Sequence, residues 1–264
     1  MTPILKRIVF ATISLPALYI LWLLLRMTCF DYFTIPSESM YPTLKPGDRV
    51  VVNKLLLGAR IYKDLHFSKK GQQLNSWRLK GIRSVQWNDI CVFNYPKHKN
   101  KISFVINDVF CKRCIGLPGD SIWIEDGFYK NNNYKYPLGL EDEQVKLSHI
   151  PDSLFSTKKL QGKKLGWTVH DFGPLYIPRK GDIVEITPRE AILYKQLLQW
   201  ETGGLIQWNP VTGEVTLDEK PFLDHTFQHN YYFMAGDNVC DSNDSRYWGL
   251  VPEDYIIGIV QWIL

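Results

Sequence analysis

Apolar and polar positions divide this chain into a long apolar N-terminal segment and a β-rich remainder. The run from Ile8 to Leu25 has eighteen residues without a formal charge, about the minimum needed to cross a hydrocarbon core of roughly 30 Å. Beyond it, β-branched and aromatic runs follow Gly-Asp or Asn-Asp turn signals, as strands do. These runs occupy residues 46–54, 87–96, 104–124, 180–186 and 255–263. The pattern predicts a mostly β fold, with an N-terminal transmembrane helix followed by an antiparallel β-sheet domain.

One helix is predicted within the β-rich remainder. In TPREAILYKQLLQWETGG, Thr187 is the expected N-cap, Pro188 the first helical residue and Glu190 the partner in a capping box. Apolar residues recur on one face, and Gly203 marks the end.

Composition separates this helix and its surroundings from the rest of the β-rich chain. Residues 127–229 are richer in Lys, Asn, Gln and loops than their flanks. We therefore expect a mixed α/β subdomain at 127–229, inserted between two parts of one β-domain at 31–126 and 230–264.

Charges around the apolar run predict its orientation in a membrane. Lys6, Arg7 and the α-amino group precede the run, and only Arg26 follows it closely. The positive-inside bias then puts residues 1–7 in the cytoplasm and the β-domain across the membrane. A cleavable signal peptide is the alternative, but its apolar region would span about 7–15 residues and end in a small-x-small site. The run ends in LLLRMTCF, so we expect residues 8–25 to remain as an anchor.

Composition disfavours several classes of function. The chain is 45% hydrophobic and 14% aromatic, with a net charge of +4, so it can form a substantial core. Nucleic-acid binders concentrate more positive charge, and we expect no nucleic-acid partner. His225 and His229 lack a helical context for metal binding, so no metal or cofactor is expected. Cys111 and Cys114 lie three apart on a predicted strand, where their side chains point to opposite faces and do not favour a disulfide.

Candidate chemistry begins in the stretch IPSESMYPTL, residues 35–44. A serine hydroxyl is a weak nucleophile unless a neighbouring group takes its proton. Lys112 lies among apolar residues in a predicted strand, and a buried lysine can lose its proton where the adjacent Arg113 cannot. The alternative is an edge-strand lysine whose amine reaches solvent.

Three segments in order resemble the signature boxes of type I signal peptidases, the membrane-bound Ser-Lys endopeptidases. They are IPSESMYPTL, CKRCIGLPGDSI and YYFMAGDNVCDSNDSRYWGLVP. The resemblance covers residues 30–53, 87–125 and 231–260, and it includes the preceding apolar run. It implies a protease that removes N-terminal signal peptides from exported preproteins.

The resemblance also implies a role for individual residues. Ser39 matches the nucleophile and Lys112 the general base, while Ser37 matches the hydroxyl that completes an oxyanion hole with the backbone N–H of Ser39. Ser242 matches the residue that orients the lysine amine. The remaining matches are the pair that braces the catalytic loop, Asp244 and Arg246, after its opening residues Gly236, Asp237 and Asn238. Substrate pockets are expected at Ile35, Pro36, Met40, Leu44 and Cys111.

Two positions depart from the family pattern. Glu38 occupies a position that is usually glycine, and its carboxylate would oppose an oxyanion if it pointed inward. We expect Glu38 to face solvent. Val239 and Cys240 follow Gly-Asp-Asn where the family commonly has a basic residue, so this part of the loop departs from the family pattern.

Two other functions are compatible with parts of the sequence. Another Ser-Lys protease, such as a self-cleaving repressor, is disfavoured by the apolar anchor. A membrane-tethered β-domain that only binds extended peptides would not need Ser39, Lys112 and Ser242 together. The sequence therefore predicts a monomeric, single-pass enzyme of the bacterial inner membrane, in contact with lipid, with its catalytic domain on the periplasmic side.

Overall fold

The computed structural model describes residues 2–64, 66–155 and 159–264. The described chain has four α-helices, at α1 Pro3–Thr28, α2 Glu141–Ser148, α3 Pro188–Thr202 and α4 Ser245–Trp248. Its strands are β1 Phe30–Thr34, β2 Arg49–Asn53, β3 Arg60–Tyr62, β4 Ser76–Arg78, β5 Ile90–Asn94, β6 Lys97–His98, β7 Lys101–Ile102, β8 Val109–Gly116, β9 Ser121–Glu125, β10 Phe128–Asn131, β11 Phe172–Tyr176, β12 Ile183–Glu185, β13 Ile206–Trp208, β14 Val215–Leu217, β15 Lys220–Pro221, β16 Asp224–Thr226, β17 Tyr231–Ala235, β18 Val251–Pro252 and β19 Ile256–Ile263. The mostly β prediction is confirmed.

A seven-stranded sheet organises the molecule, in the order β1-β2-β19-β5-β8-β17-β18. Its neighbouring strands are antiparallel. The alternation of buried and exposed positions along β2, and the fully buried β17, match strands that cover a core on at least one face. β19 lies between β2 and β5, so it joins the segment carrying Ser39 to the strands that lead to Lys112.

Helix α1 contains the apolar run and packs against the edge strand β1. Pro16 lies inside the helix. Apolar side chains on α1 are exposed, including Phe10 at 74% and Leu15 at 67%. Among the described residues, no helix combines the length and apolar character required to cross a membrane.

The described residues between 127 and 229 contribute no strand to the seven-stranded sheet. They form α2, α3 and the short strands β10 to β16, several of which pair in small sheets. This segment shares the main core with the large sheet: the ring of Phe172 packs 5.9 Å from that of Phe233.

Helix α3 has the predicted boundaries. The Thr187 side chain accepts a hydrogen bond from the backbone N–H of Arg189 at 3.2 Å and also bonds to Glu190. Gly203 ends the helix with φ of 73°, a left-handed conformation that glycine adopts without a Cβ penalty. Local capping signals were therefore sufficient to predict this element.

Candidate active site

Ser39 is held in a short 3₁₀ turn between β1 and β2. The turn spans Glu38–Met40 and closes with a hydrogen bond from Tyr41 N–H to the Glu38 carbonyl at 2.9 Å. Met40 and Leu44 on either side of the Tyr-Pro-Thr stretch are fully buried. Burial of these two apolar side chains holds the turn in place, while Ser39 remains partly exposed.

Lys112 projects from the middle of β8 to the same point. Its Nζ donates to Ser39 Oγ at 2.5 Å and to the Cys111 carbonyl at 3.0 Å. The residue is only 4% exposed. The structure thus brings together the two residues expected to form the dyad, although they lie 73 positions apart.

Burial lowers the pKa of the Lys112 amine, and the charge of Asp244 opposes that change. The charged form is disfavoured because little water can solvate it in this site. The aromatic ring of Phe110, 5.6 Å from Nζ, supplies only a weak compensating interaction with a cation. A lysine in this setting can serve as a proton acceptor.

Ser37 lies beside the dyad, with its Oγ 3.3 Å from Ser39 Oγ. Its backbone is extended and enters the 3₁₀ turn, so the hydroxyl is exposed on the same side as that of Ser39. Glu38 is exposed, as expected. The space in front of Ser37 and Ser39 is therefore open to a substrate carbonyl.

Ser242 is 2% exposed, and its hydroxyl faces the Asp244 carboxylate, whose pKa it helps to lower. The Ser242 side chain and the Ser39 carbonyl both lie close to Gly236. A Cβ on Gly236 would lie 2.2 Å from Ser242 Oγ and 2.3 Å from the Ser39 carbonyl oxygen. Only glycine allows Ser39 and Ser242 to approach this closely. The expected hydrogen bond from Ser242 to the Lys112 amine is not formed in this structure.

Asp244 and Arg246 form the ion pair predicted from the sequence. Arg246 Nε and Nη2 donate to the two carboxylate oxygens at 2.9 and 2.8 Å, and both side chains are fully buried. Burial alone would raise the pKa of Asp244, but Arg246 and the Gly236 N–H hold it below its ordinary value. Arg246 also donates to the Val239 carbonyl at 2.9 Å. The ion pair is therefore hydrogen-bonded to an earlier residue of the same loop.

A second buried ion pair was not predicted. Arg113 donates to both oxygens of Asp237, from Nε at 2.7 Å and from Nη2 at 2.6 Å. Thr43 Oγ1 donates to the same carboxylate at 2.5 Å. This network joins β8, the loop after β17 and the loop after Ser39. No local sequence pattern links Thr43, Arg113 and Asp237, because they lie far apart along the chain.

The expected substrate-binding residues divide into two groups. Ile35, Pro36 and Cys111 line a groove of about 660 Å³ that runs toward the end of α1. Met40 and Leu44 do not line it and instead pack in a small core with Val50, Val52 and Val92.

The cysteines near the site form no disulfide. All five cysteines lie in the described part of the chain, and no disulfide bond joins any two of them. Cys114 packs in the main core and Cys111 against the smaller one, on opposite faces of β8. Burial raises the pKa of the Cys111 thiol to about 12, so it stays protonated.

Comparison with known proteins identifies the family of this chain. The sequence profile described as "Signal peptidase, peptidase S26" matches residues 5–264. The chain belongs to this signal peptidase family. Members of the family are serine peptidases that remove signal peptides, and this is the activity of the chain.

Individual relatives agree with that assignment. Signal peptidase I of Pseudomonas aeruginosa is 28% identical over 253 residues, which cover 92% of this chain and 67% of the relative. Signal peptidase I of Buchnera aphidicola (subspecies Acyrthosiphon pisum) is 28% identical over 89% of this chain and 68% of its own length. Signal peptidase I of Aquifex aeolicus is 25% identical over 86% and 72%.

Proposed function

We propose that Ser39 is the nucleophile and Lys112 the general base with which this signal peptidase cleaves exported preproteins. The observation that carries the proposal is the 2.5 Å contact between Lys112 Nζ and Ser39 Oγ. Proton transfer in the transition state requires the two heavy atoms to lie within hydrogen-bond reach, at most about 3.2 Å apart, and this contact meets that need without rearrangement. The lowered pKa of Lys112 favours the neutral amine that a base requires.

Cleavage would proceed through an acyl-enzyme. Ser39 Oγ attacks the scissile carbonyl carbon while Lys112 Nζ takes the hydroxyl proton. The resulting oxyanion accepts hydrogen bonds from the Ser39 backbone N–H and the Ser37 hydroxyl, each worth about 3–4 kcal/mol in such sites. Lys112 returns the proton to the leaving amine of the mature protein. Water, deprotonated in turn by Lys112, then hydrolyses the ester and releases the signal peptide.

Residues around the dyad are proposed to hold it and its substrate. Ser242 would orient the Lys112 amine, and the Asp244–Arg246 pair would brace the loop that carries Ser242. An extended substrate segment would add as a strand beside this site. Ile35, Pro36 and Cys111 would contact its small side chains, with Met40 and Leu44 supporting them from the core.

The strand composition of the large sheet supports a division of the chain. All seven of its strands come from residues 30–116 or 231–263. We accordingly assign 31–126 and 230–264 to a catalytic domain and 127–229 to an inserted subdomain.

Cleavage of a preprotein by the purified chain tests the proposed dyad. The native chain should release the signal peptide, whereas Ser39→Ala should lose at least about a thousandfold in rate with an unchanged circular dichroism spectrum. Binding of the preprotein by Ser39→Ala should persist. A native chain that binds the preprotein without cleaving it would instead support the peptide-binding function.

We also propose that residues 8–25 of α1 anchor the enzyme once in the bacterial inner membrane. The exposed apolar side chains of α1 and the bias of Lys6 and Arg7 to its N-terminal side support this orientation. Residues 1–7 would be cytoplasmic and the catalytic domain periplasmic, as a monomer in contact with lipid and without a nucleic-acid partner.

Protease accessibility tests this topology. Digestion of intact spheroplasts should remove the domain that follows α1 and leave a small membrane-bound fragment. The same digestion after lysis is the control, and it should give the same loss. Complete protection of the domain before lysis would show that the orientation is reversed.

A further inference from the structure

Another groove has a volume of about 780 Å³. Its walls come from the β6–β7 hairpin, the segment 159–164, one face of α3 and residues 247–250. The last of these precede β18, the edge strand of the large sheet opposite β1, against which α1 packs. None of Ser39, Lys112 and Ser242 lines it, so the groove is separate from the candidate active site.

The groove concentrates positive charge without compensating acids. The seven lysines among its described lining residues are Lys97, Lys99, Lys101, Lys159, Lys163, Lys164 and Lys195. No aspartate or glutamate of the described chain lines it. The whole chain has 31 basic and 27 acidic residues, so this separation of charge is local. Lysines from two stretches that are far apart in the sequence, 97–101 and 159–164, meet here.

Most of these ammonium groups lack a carboxylate partner. No salt bridge to a described carboxylate is formed by Lys97, Lys99, Lys101, Lys159, Lys164 or Lys195. Burial, and after it the nearby charge of Lys159, lowers the pKa of Lys97. Like charges held together in this way attract an anion strongly, because a bound anion relieves their mutual repulsion.

Trp208 contacts two of the lysines, and these contacts disfavour a nucleic acid as the ligand of the groove. Lys164 Nζ and Lys195 Nζ lie 5.6 and 5.2 Å from the centroid of its ring. Single-stranded nucleic acids are bound by stacking bases on free aromatic faces, and this ring already interacts with two cations. No arginine, the side chain best suited to phosphate, lines the described groove.

The amide side chains of the groove indicate the kind of molecule that carries the anionic groups. Asn100, Gln196 and Gln199 share the groove with the lysines, and an amide can both donate to and accept from a peptide group. A flat membrane surface would not enter a concave groove at the sheet edge opposite α1. We propose that this groove binds an acidic, extended segment of another polypeptide, with lysines contacting carboxylates and amides contacting the backbone.

Binding of a designed peptide tests the proposal. The probe is a fluorescein-labelled peptide of about twelve residues in which Glu alternates with Ser, and its partner carries Gln in place of Glu. Fluorescence anisotropy is measured with the full chain in detergent micelles at fixed ionic strength. The chain carries Ser39→Ala, so that cleavage does not alter the probe. The Glu peptide should bind at least tenfold more tightly than the Gln peptide.

Charge-matched variants locate the site. Lys159→Gln/Lys164→Gln/Lys195→Gln should weaken binding of the Glu peptide at least tenfold, or about 1.4 kcal/mol. The control removes the same charge from exposed lysines outside the groove, and it should change binding less than twofold; its substitutions are Lys130→Gln, Lys135→Gln and Lys220→Gln. Arginine at the three groove positions should retain binding within about threefold, which guards against loss through misfolding.

Several results would overturn the proposal. They are equal affinity for the Glu and Gln peptides, equal loss in the groove and control variants, and groove-dependent binding of single-stranded DNA or anionic vesicles in place of the peptide. The groove variants in an otherwise native chain should cleave preprotein at the native rate. The proposed groove and the proposed dyad can therefore fail independently.

Discussion

Burial of the Lys112 amine links stability to pH at the scale of a single residue. Because its pKa is lowered, the folded chain binds fewer protons at this site than the unfolded chain at pH values between the lowered pKa and 10.5. Stability therefore rises with pH through this window. The penalty is full below the folded-state pKa and disappears as pH approaches 10.5. The burial that suits Lys112 to its proposed role as a base also makes it destabilising at neutral pH.

Substitution of Lys112 should separate catalysis from stability. Lys112→Met, which keeps the length of the side chain without its charge, should abolish cleavage and raise the Tm at pH 7. The gain in Tm should shrink as pH is raised toward 10.5. Differential scanning calorimetry across that range, with cleavage assays, measures both effects.

Lys112→Arg is the matched variant that keeps the charge. A guanidinium cannot act as a base at neutral pH, so cleavage should fall at least about a thousandfold. Native turnover in Lys112→Arg would contradict the role of Lys112. A Tm for Lys112→Met below that of the native chain would contradict the stated cost of burial.

Some residues of the candidate site could be predicted from the sequence, and others could not. The apolar surroundings of Lys112 made it a candidate base, whereas the resemblance to signal peptidases selected Ser39 and the Asp244–Arg246 pair. The network of Thr43, Arg113 and Asp237 was missed because its members lie far apart, and no local pattern links them before the chain folds.

Elements with strong local signals were also predictable. The cap and stop residues fixed α3, and long apolar runs contained β2, β5, β8 and β19. The two-residue strands β6, β7 and β15 carried no such signal, because their hydrogen-bond pairing depends on tertiary context. The meeting of two lysine-rich segments in one groove was hidden for the same reason.

The turn that follows β17 depends on the absence of a side chain at Gly236. Gly236→Ala would force a methyl group to within 2.3 Å of the Ser39 carbonyl oxygen. One of the two segments must move, so cleavage should drop at least a hundredfold, or about 2.7 kcal/mol in transition-state stabilisation. Steady-state kinetics should show the loss in kcat.

A control glycine separates strain from displacement of the site. Gly181 has φ of 90°, and a Cβ there meets nothing within 4 Å. Gly181→Ala should cost about 1–2 kcal/mol of stability through its left-handed backbone and leave kcat unchanged. Native kcat in Gly236→Ala would show that the close approach is not required.

At the scale of the whole molecule, strand order was the feature least accessible to sequence reasoning. Turn signals give the position of each strand but not its neighbours, which are chosen by contacts between distant parts of the chain. β19 follows every other strand of the large sheet in sequence, yet it pairs with β2 and β5 near the centre.

Removal of β19 tests whether its pairing with β2 and β5 is needed to bring Ser39 and Lys112 together. A chain ending at residue 255 leaves β2 and β5 without their shared neighbour, so the dyad should not assemble and cleavage should be undetectable. Adding a peptide of residues 256–264 should restore at least a few per cent of the native rate, and should not do so with Ser39→Ala. Native cleavage by the shortened chain alone would contradict this dependence.

The central position of β19 also determines when a newly made chain becomes a protease. At about 5–20 residues per second, β19 is synthesised roughly 7–30 s after Lys112. Throughout that interval Ser39 and Lys112 both exist, but the strand that joins their halves of the sheet does not. The growing chain therefore lacks an assembled Ser39–Lys112 pair throughout this interval. Many proteases obtain such a delay from a propeptide that is later removed, whereas here the order of strands provides it.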